Sequence, residues 1–418
     1  MAITRRDFLN GVAVTIAAGL TPLEWVRATG KGNAFIDGNY YPPALTGLRG
    51  NHPGSFEMAH ALGREQKHFD LNALPVEEEY DLVIVGGGIS GLAAGCFWRQ
   101  VAGQNSRVLI LDNHDDFGGH AKRNEFTSSG KKLLGYGGSE AFQSPAHNFS
   151  PEVQKLMETV GVSVTRLKES FDVNFYPDWQ LSRGVFFDKK NFGVTKIVSG
   201  DPGRAVSDDI PPDRLNGRKI EDFINDFPLG ENDRKALIDL HVRPGDYLPG
   251  MTVDEKMEWL DTHSYSEFLA TKVGLSKMAL LYFQQRSNDF FAIGIEGISC
   301  SDARACALPG MEGMGLPPLD GESLADLEEP YVYHFPDGMA RLLVRYMLPD
   351  ALPGNTMEDS VLARLHYEKL DLPENTTRLR LNSTVINAAN VQDGVVVTYL
   401  RDGKMHRVRG TLSWQAII

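Results

Sequence analysis

Three glycines at positions 86, 88 and 91, followed by an acid at position 112, are where this sequence states its chemistry most clearly. Gly86-Gly87-Gly88-Ile89-Ser90-Gly91 reads G-x-G-x-x-G. Gly86 suits a tight turn, Gly88 the close approach of backbone to a pyrophosphate, and Gly91 the close packing of a helix on a strand. A helix starting near residue 90 aims its unbonded N–H groups at that anion, so no side-chain cation is required. Asp112 stands 21 residues after Gly91. A carboxylate there accepts the ribose hydroxyls of an adenosine and repels a 2′-phosphate.

These residues need a strand before them and a strand after. Residues 80–85 form a short apolar run rich in β-branched side chains, as expected of a strand buried on both faces of a parallel sheet. A helix is predicted over 90–102 and a second strand over 108–111, ending at Asp112. The unit is of Rossmann type and binds a dinucleotide. NAD and FAD share the fingerprint, so the choice rests on the residues beyond Asp112. Residues 113–121 carry Gly118, Gly119 and His120, and residues 134–139 carry Gly135, Gly137 and Gly138. Taken alone, both stretches also fit surface turns. Together they resemble the flavin-containing amine oxidase superfamily, which implies FAD rather than NAD, held by these glycines and His120. The fold class expected is α/β: a Rossmann-type FAD-binding domain with an interleaved α+β substrate domain.

Composition sets the remaining bounds. The chain has 418 residues, 42% of them hydrophobic, and a net charge of −13. That balance argues against nucleic acid or an anionic membrane surface as partner. Thr4-Arg5-Arg6-Asp7-Phe8-Leu9 resembles the twin-arginine export signal, and the apolar run over 11–20 is shorter than the ~20 residues a spanning helix needs. Residues 1–30 are therefore expected to be a signal peptide, and the mature protein periplasmic, without stable membrane insertion. The three cysteines, Cys96, Cys300 and Cys306, include no Cys-x-x-Cys-His, which speaks against covalent c-type haem. Cys300 and Cys306 are open to pairing or to remaining reduced.

Residues 31–79 form an arm, dense in Pro, Gly and aromatics over 40–57 and with a short helix expected over 56–65. The wording of this arm (YYPPALTGLRGNHPGSFEMAHALGREQKHF) is followed by YDLVIVGGGISGLAAG, FGGHAKRNEF and GYGGSEAFQSP. Together they resemble the bacterial spermidine dehydrogenase family from about residue 40 to 409. The resemblance implies FAD-dependent oxidation of a polyamine at its secondary amine, with haem b taking the electrons onward to an acceptor the sequence does not name. A neutral imidazole ligates haem iron. His52 and His60 are the candidates for axial ligand, with His68 and His120 behind them. A polyamine needs a carboxylate and aromatic faces for its ammonium groups; Glu140 and Tyr136 are the candidates, with Phe142 as a wall. Other readings of the same residues are an FAD amine or alcohol oxidoreductase without haem, and an inactive member of the family.

Past residue 150 the sequence is read as a substrate region over 151–375. Ser150-Pro151 starts a helix that Gly161 stops, helices follow over 219–227, 231–241 and 252–260, and residues 185–188 make a strand. His334-Phe335-Pro336-Asp337-Gly338, a segment this family shares, is expected to turn into a helix over 339–346. Residues 376–418 are read as the return to the FAD-binding domain, with strands over 379–388, 394–399 and 405–409. The superfamily resemblance implies a backbone contact from Val385 to the adenine. It also implies a further sheet strand and a glycine–acid segment after residue 409, so the C-terminal part of the fold is expected to be missing.

Overall fold

The computed structural model describes residues 40–45, 55–71, 74–170, 172–203, 214–319 and 332–415. The export-signal segment and His52 lie outside them. The chain divides into two compact units. One holds residues up to Val164 and from His334 onward, the other Thr165–Tyr333. The unit that holds the sheet thus also takes in the helices at either end of the 151–375 span.

The first unit is built on a six-stranded sheet. Its strands are β1 (Glu78–Val85), β2 (Val108–Leu111), β5 (Thr377–Arg380), β6 (Thr384–Val391), β7 (Gly394–Arg401) and β8 (Lys404–Gln415); β3 (Asn124–Ser128) and β4 (Lys131–Gly135) make a separate hairpin. The order is β6-β7-β8-β1-β2-β5, parallel from β8 through β5 and antiparallel through β6, β7 and β8. Val83, Ile84 and all of β2 are buried, as a doubly covered parallel strand requires. On one face lies helix α2 (Ile89–Ala102), following helix α1 (Glu57–Gly63) of the arm. Gly95 lets α2 sit down on the sheet: a Cβ there would lie 3.4 and 3.5 Å from the Ile110 and Ile84 methyls and 2.7 Å from the Met347 sulfur. That sulfur belongs to helix α4 (Pro336–Met347), which follows α3 (Pro151–Val160) in the chain. On the other face Val397 and Tyr399 of the antiparallel end share a cluster with Val83, Leu109 and Leu111.

Three expectations for the strands and helices need correcting. The strand predicted over 379–388 is two: β5 stops at Arg380, Asn382 takes a positive φ of 53°, and β6 joins the opposite end of the sheet. The strand predicted to stop at residue 409 runs to Gln415, and its last residues pair in parallel with β1, Leu82 with Leu412 and Val85 with Gln415. Residues 410–415 therefore carry the return to the sheet beyond residue 409. The helix after His334-Phe335 begins at Pro336 rather than 339, with Pro at its first position where no N–H is needed. The start and stop signals of α3 act as read: the Ser150 hydroxyl accepts from the Val153 N–H, and Gly161 closes the helix at φ 93°.

The second unit is mainly helical, with a hairpin of Gly184–Phe187 and Lys196–Ser199. Helices Ile220–Asn225, Glu231–Val242 and Val253–Thr262 fall where the sequence puts them, the last behind a Thr252–Glu255 capping box. Its core gathers Phe187, Phe223, Phe227, Tyr265, Phe268 and Phe283. Among the described residues the cysteines form no disulfide, and burial pushes the Cys96 and Cys300 thiols up to about 12.

Candidate dinucleotide site

The site forms where β1 turns into α2. Gly86 takes φ 107°, which an L side chain rarely adopts, and this swings the chain off the strand. Gly91 then lies over the turn: a Cβ there would sit 1.9 Å from the Gly86 carbonyl oxygen, so only hydrogen fits. Gly88 is different. The atom nearest to a methyl placed there is the Gly119 Cα at 3.8 Å, leaving room on the protein side. Gly88 is also the N-cap of α2 and brings no side-chain cap. The first N–H groups of the helix thus face outward with the positive end of its dipole, the arrangement that takes an anion.

The second glycine pair comes to the same place. The Gly118 N–H donates to the Gly87 carbonyl at 2.8 Å, and Gly88 and Gly118 form a parallel bridge. Gly118 and Gly119 have φ 97° and 57°. The third stretch packs behind them. The Ser139 N–H donates to the His120 carbonyl at 2.8 Å. A Cβ on Gly137 would lie 2.6 Å from that oxygen, and one on Gly138 2.7 Å from the His120 ring. The structure therefore gathers Gly86, Gly88, Gly91, Gly118, Gly119, His120, Gly137 and Gly138 into one backbone-lined surface. His120 serves it as the wall against which the third stretch lies.

Asp112 is turned inward. Its carboxylate accepts from the Gly87 N–H and the His114 N–H, both at 2.7 Å, and is 8% exposed. Burial pushes its carboxyl up to about 6, against these two bonds, which pull it down. Each oxygen keeps a lone pair for a hydroxyl. Gly87, between the first two glycines of the fingerprint, is small for this reason: a Cβ there would lie 3.0 Å from the Asp112 carboxylate oxygen. Val385 stands just beyond the segment that flanks this acid. The Ser383 and Asn382 N–H groups donate to the Asp112 and His114 carbonyls at 2.7 and 2.8 Å, and the Thr384 hydroxyl donates to the Asn113 side chain.

Beside the first turn of α2 is a cavity of about 250 Å³, lined by Ile89, Ala121, Phe142, Met157 and Met339 and apolar apart from Ser139. Ser139 and Ala141 line it, whereas the Glu140 side chain between them is 74% exposed. Glu140 instead approaches His334, 4.0 Å from its Nδ1, and the His334 ring stacks on Tyr136 at 5.5 Å. Partial burial raises the Tyr136 hydroxyl, with Glu140 and Asp337 adding to it. The two candidate catalytic residues are thus together, with His334 as a third member that the sequence marks only as part of a segment. His60 lies on α1, half-buried, its ring 5.2 Å from Phe56. Among the described residues no three metal-ligating side chains cluster.

The fold and this geometry define a dinucleotide-binding protein of Rossmann type. Residues 84–160 match the family model of the NAD(P)-binding Rossmann-like domain. The chain is 34% identical over 98 residues to "Oxidoreductase PigB" of Serratia sp. (strain ATCC 39006), a match that takes in 22% of this chain and 14% of that protein. Among solved structures it is similar to a protein assigned as a protoporphyrinogen oxidase from Exiguobacterium sp. 255-15 (15% identity, TM-score 0.40) and to a redesigned putrescine oxidase (16% identity, TM-score 0.35). Each aligns over 82% of this chain, which spans 60% and 58% of their respective lengths. These likenesses are too distant to carry function.

Proposed function

We propose that the protein is an FAD-dependent oxidoreductase acting on an amine, with a spermidine-like polyamine as substrate. One observation carries the reading: three separate glycine stretches are packed in series beside the N-terminus of α2, with Gly118 bridged to Gly88, Gly119 close against the Gly88 backbone, and Gly137 and Gly138 against His120. A single glycine turn serves one pyrophosphate; the added Gly118–Gly119 and Gly137–Gly138 surfaces suit a larger dinucleotide. When bound, FAD takes up a hydride equivalent from the carbon next to the amine nitrogen. The chain's own part is positional. The α2 N–H groups hold the pyrophosphate, and Asp112 takes a ribose hydroxyl on its spare lone pairs. Glu140 binds a distal ammonium by charge, and Tyr136 by the face of its ring. No membrane-spanning helix occurs among the described residues, and the twin-arginine resemblance supports export to the periplasm. Haem b as the onward acceptor is implied by the arm alone. Its proposed ligands are His60 and His52; the ring beside His60 is that of Phe56, and nothing at His60 beyond its imidazole argues for haem.

The test is an absorption spectrum of the purified full-length protein before and after anaerobic addition of spermidine. Flavin bands that bleach support the reading, and a Soret band that shifts with them extends it to haem. Glu140→Gln should then raise KM about tenfold with a smaller change in kcat. A protein that retains no flavin after reconstitution, or flavin that no amine bleaches, overturns the reading.

A further inference from the structure

The stretch between Asp112 and the second glycine pair is acidic, and its acids are buried. Asp115 is 4% and Asp116 2% exposed, and Glu125 on β3 is 8% exposed. Buried carboxylates beside a site for a pyrophosphate are costly unless they are held by donors. Each of the three receives a tyrosine hydroxyl from a distant part of the chain. Tyr40 donates to Asp115 at 2.5 Å, Tyr41 to Glu125 at 2.9 Å, and Tyr367 to Asp116 at 2.6 Å. The rings are packed together as well. Tyr41 and Tyr367 meet edge to face at 5.8 Å, the Arg364 guanidinium lies 3.9 Å over Tyr41, and Tyr367 lies 6.4 Å from Phe117. The arm is tied down a second time where the Asn113 amide donates to the Ser55 carbonyl at 2.5 Å.

The Asp116 oxygen that accepts from Tyr367 also accepts the Phe117 N–H at 3.0 Å. Phe117 directly precedes Gly118, whose positive φ and bond to Gly87 place the second glycine pair against Gly88. The chain of contact thus runs Tyr367 hydroxyl, Asp116 carboxylate, Phe117 N–H, Gly118, Gly88. Burial, and then Asp116 itself, keep the Tyr367 hydroxyl protonated and hence a donor at every working pH.

We propose that Tyr367 is a positioning residue for the dinucleotide: through Asp116 it sets the Phe117-Gly118-Gly119 turn, and with Tyr40 of the arm it holds that turn at the distance from Gly88 that the pyrophosphate needs. This rests on the dinucleotide reading above and adds to it residues that touch no part of the cofactor. Tyr367 belongs to none of the motifs read from the sequence, and it is over 200 residues from the turn it sets.

Tyr367→Phe removes only the hydroxyl and keeps the ring packing. The test measures FAD and ADP-ribose binding to full-length protein by calorimetry, alongside thermal melting of the ligand-free form. Tyr399→Phe is the control, since it removes another buried hydroxyl of the same unit, one bonded to Arg380. Tyr367→Phe is expected to weaken both ligands by about tenfold or more, and Tyr399→Phe to lower the melting temperature with affinity unchanged. In an Asp116→Asn background the Tyr367→Phe change should have no further effect on affinity. Affinity within twofold of wild type for Tyr367→Phe, or an equal loss in Tyr399→Phe, overturns the positioning role while leaving the dinucleotide site standing. Wild-type protein that binds neither ligand overturns both.

Discussion

Gly88 and Gly91 belong to one fingerprint, yet the structure gives them separate consequences when each is changed to alanine. At Gly91 the new methyl would stand 1.9 Å from the Gly86 carbonyl oxygen, and 3.2 Å from an Ile84 methyl. Contact distance is over an ångström further, so the helix must lift from the strand or the turn must open. Overpacking of this kind costs about 1–3 kcal/mol where flexible side chains yield. Here rigid backbone opposes the methyl, so the loss should reach about 3 kcal/mol or more. At Gly88 the nearest atom is 3.8 Å away and the backbone is extended at φ −72° and ψ 179°. Losing a glycine N-cap costs roughly 0.5 kcal/mol, and the stiffer unfolded chain returns about as much. Stability should therefore move by less than about 0.5 kcal/mol. The methyl covers backbone that the pyrophosphate would have to approach closely, so FAD and ADP-ribose affinity should fall about ten- to hundredfold. Urea unfolding of the ligand-free variants, with calorimetric titration of both ligands, separates the two outcomes. Gly88→Ala that binds like wild type, or that loses as much stability as Gly91→Ala, would refute the assignment of Gly88 to the ligand and Gly91 to the fold.

Asp112 gives a pH signature. Its folded value of about 6 lies above the ordinary carboxylate value near 3.9. The stability linked to it is full below about pH 4 and is lost as pH rises through about 6, by about 3 kcal/mol. Urea midpoints from pH 4 to 7 should thus fall more steeply in wild type than in Asp112→Asn, and parallel slopes would count against the inward-turned carboxylate. Arg380 is 2% exposed and pairs with Asp371 at 2.9 Å, Glu78 at 3.0 Å and the Tyr399 hydroxyl at 2.6 Å. Arg380→Ala should cost about 3 kcal/mol, the low end for a broken buried pair, because Asp371 keeps Arg378 and Arg401. A loss under about 1 kcal/mol by denaturant titration would place this cluster outside the stabilising core.

What could be read from the sequence was local. The G-x-G-x-x-G turn, its two strands and the α3 caps depend on neighbours a few residues away, and each stands within a residue or two of its predicted place. Residues 379–388 misled because their β-propensity is continuous. The break at Asn382 is needed only because β5 and β6 go to opposite ends of one sheet, a fact of tertiary pairing. The run to Gln415 was hidden for the same reason: β8 serves β7 with its first half and β1 with its second, and neither partner is a sequence neighbour of residue 415. In the site, the inward turn of Asp112 toward Gly87 could have been suspected from the aspartate, a methylene shorter than glutamate. The pairing of Tyr136 with His334 joins residues nearly 200 apart and had no local signal.

The central sheet draws its strands from both ends of the described chain, and this sets an order of events during synthesis. Strands β1 and β2 leave the ribosome as a bare pair, because β2 ends at Leu111 and β5 begins only at Thr377. About 265 residues separate them, and at ribosomal rates of ~5–20 residues per second their translation takes tens of seconds. Through that interval Val83, Ile84 and the whole of β2, all buried in the finished protein, have neither neighbouring strand nor the covering layer from Val397 and Tyr399. Two hydrophobic strand edges stand open to other chains. Val408, which closes the ladder at Glu78, arrives later still. Nucleotide added during translation would therefore meet the glycine turns before the sheet beneath them is complete, and yield in a cell should depend on what shields that pair of strands while the second unit is being made.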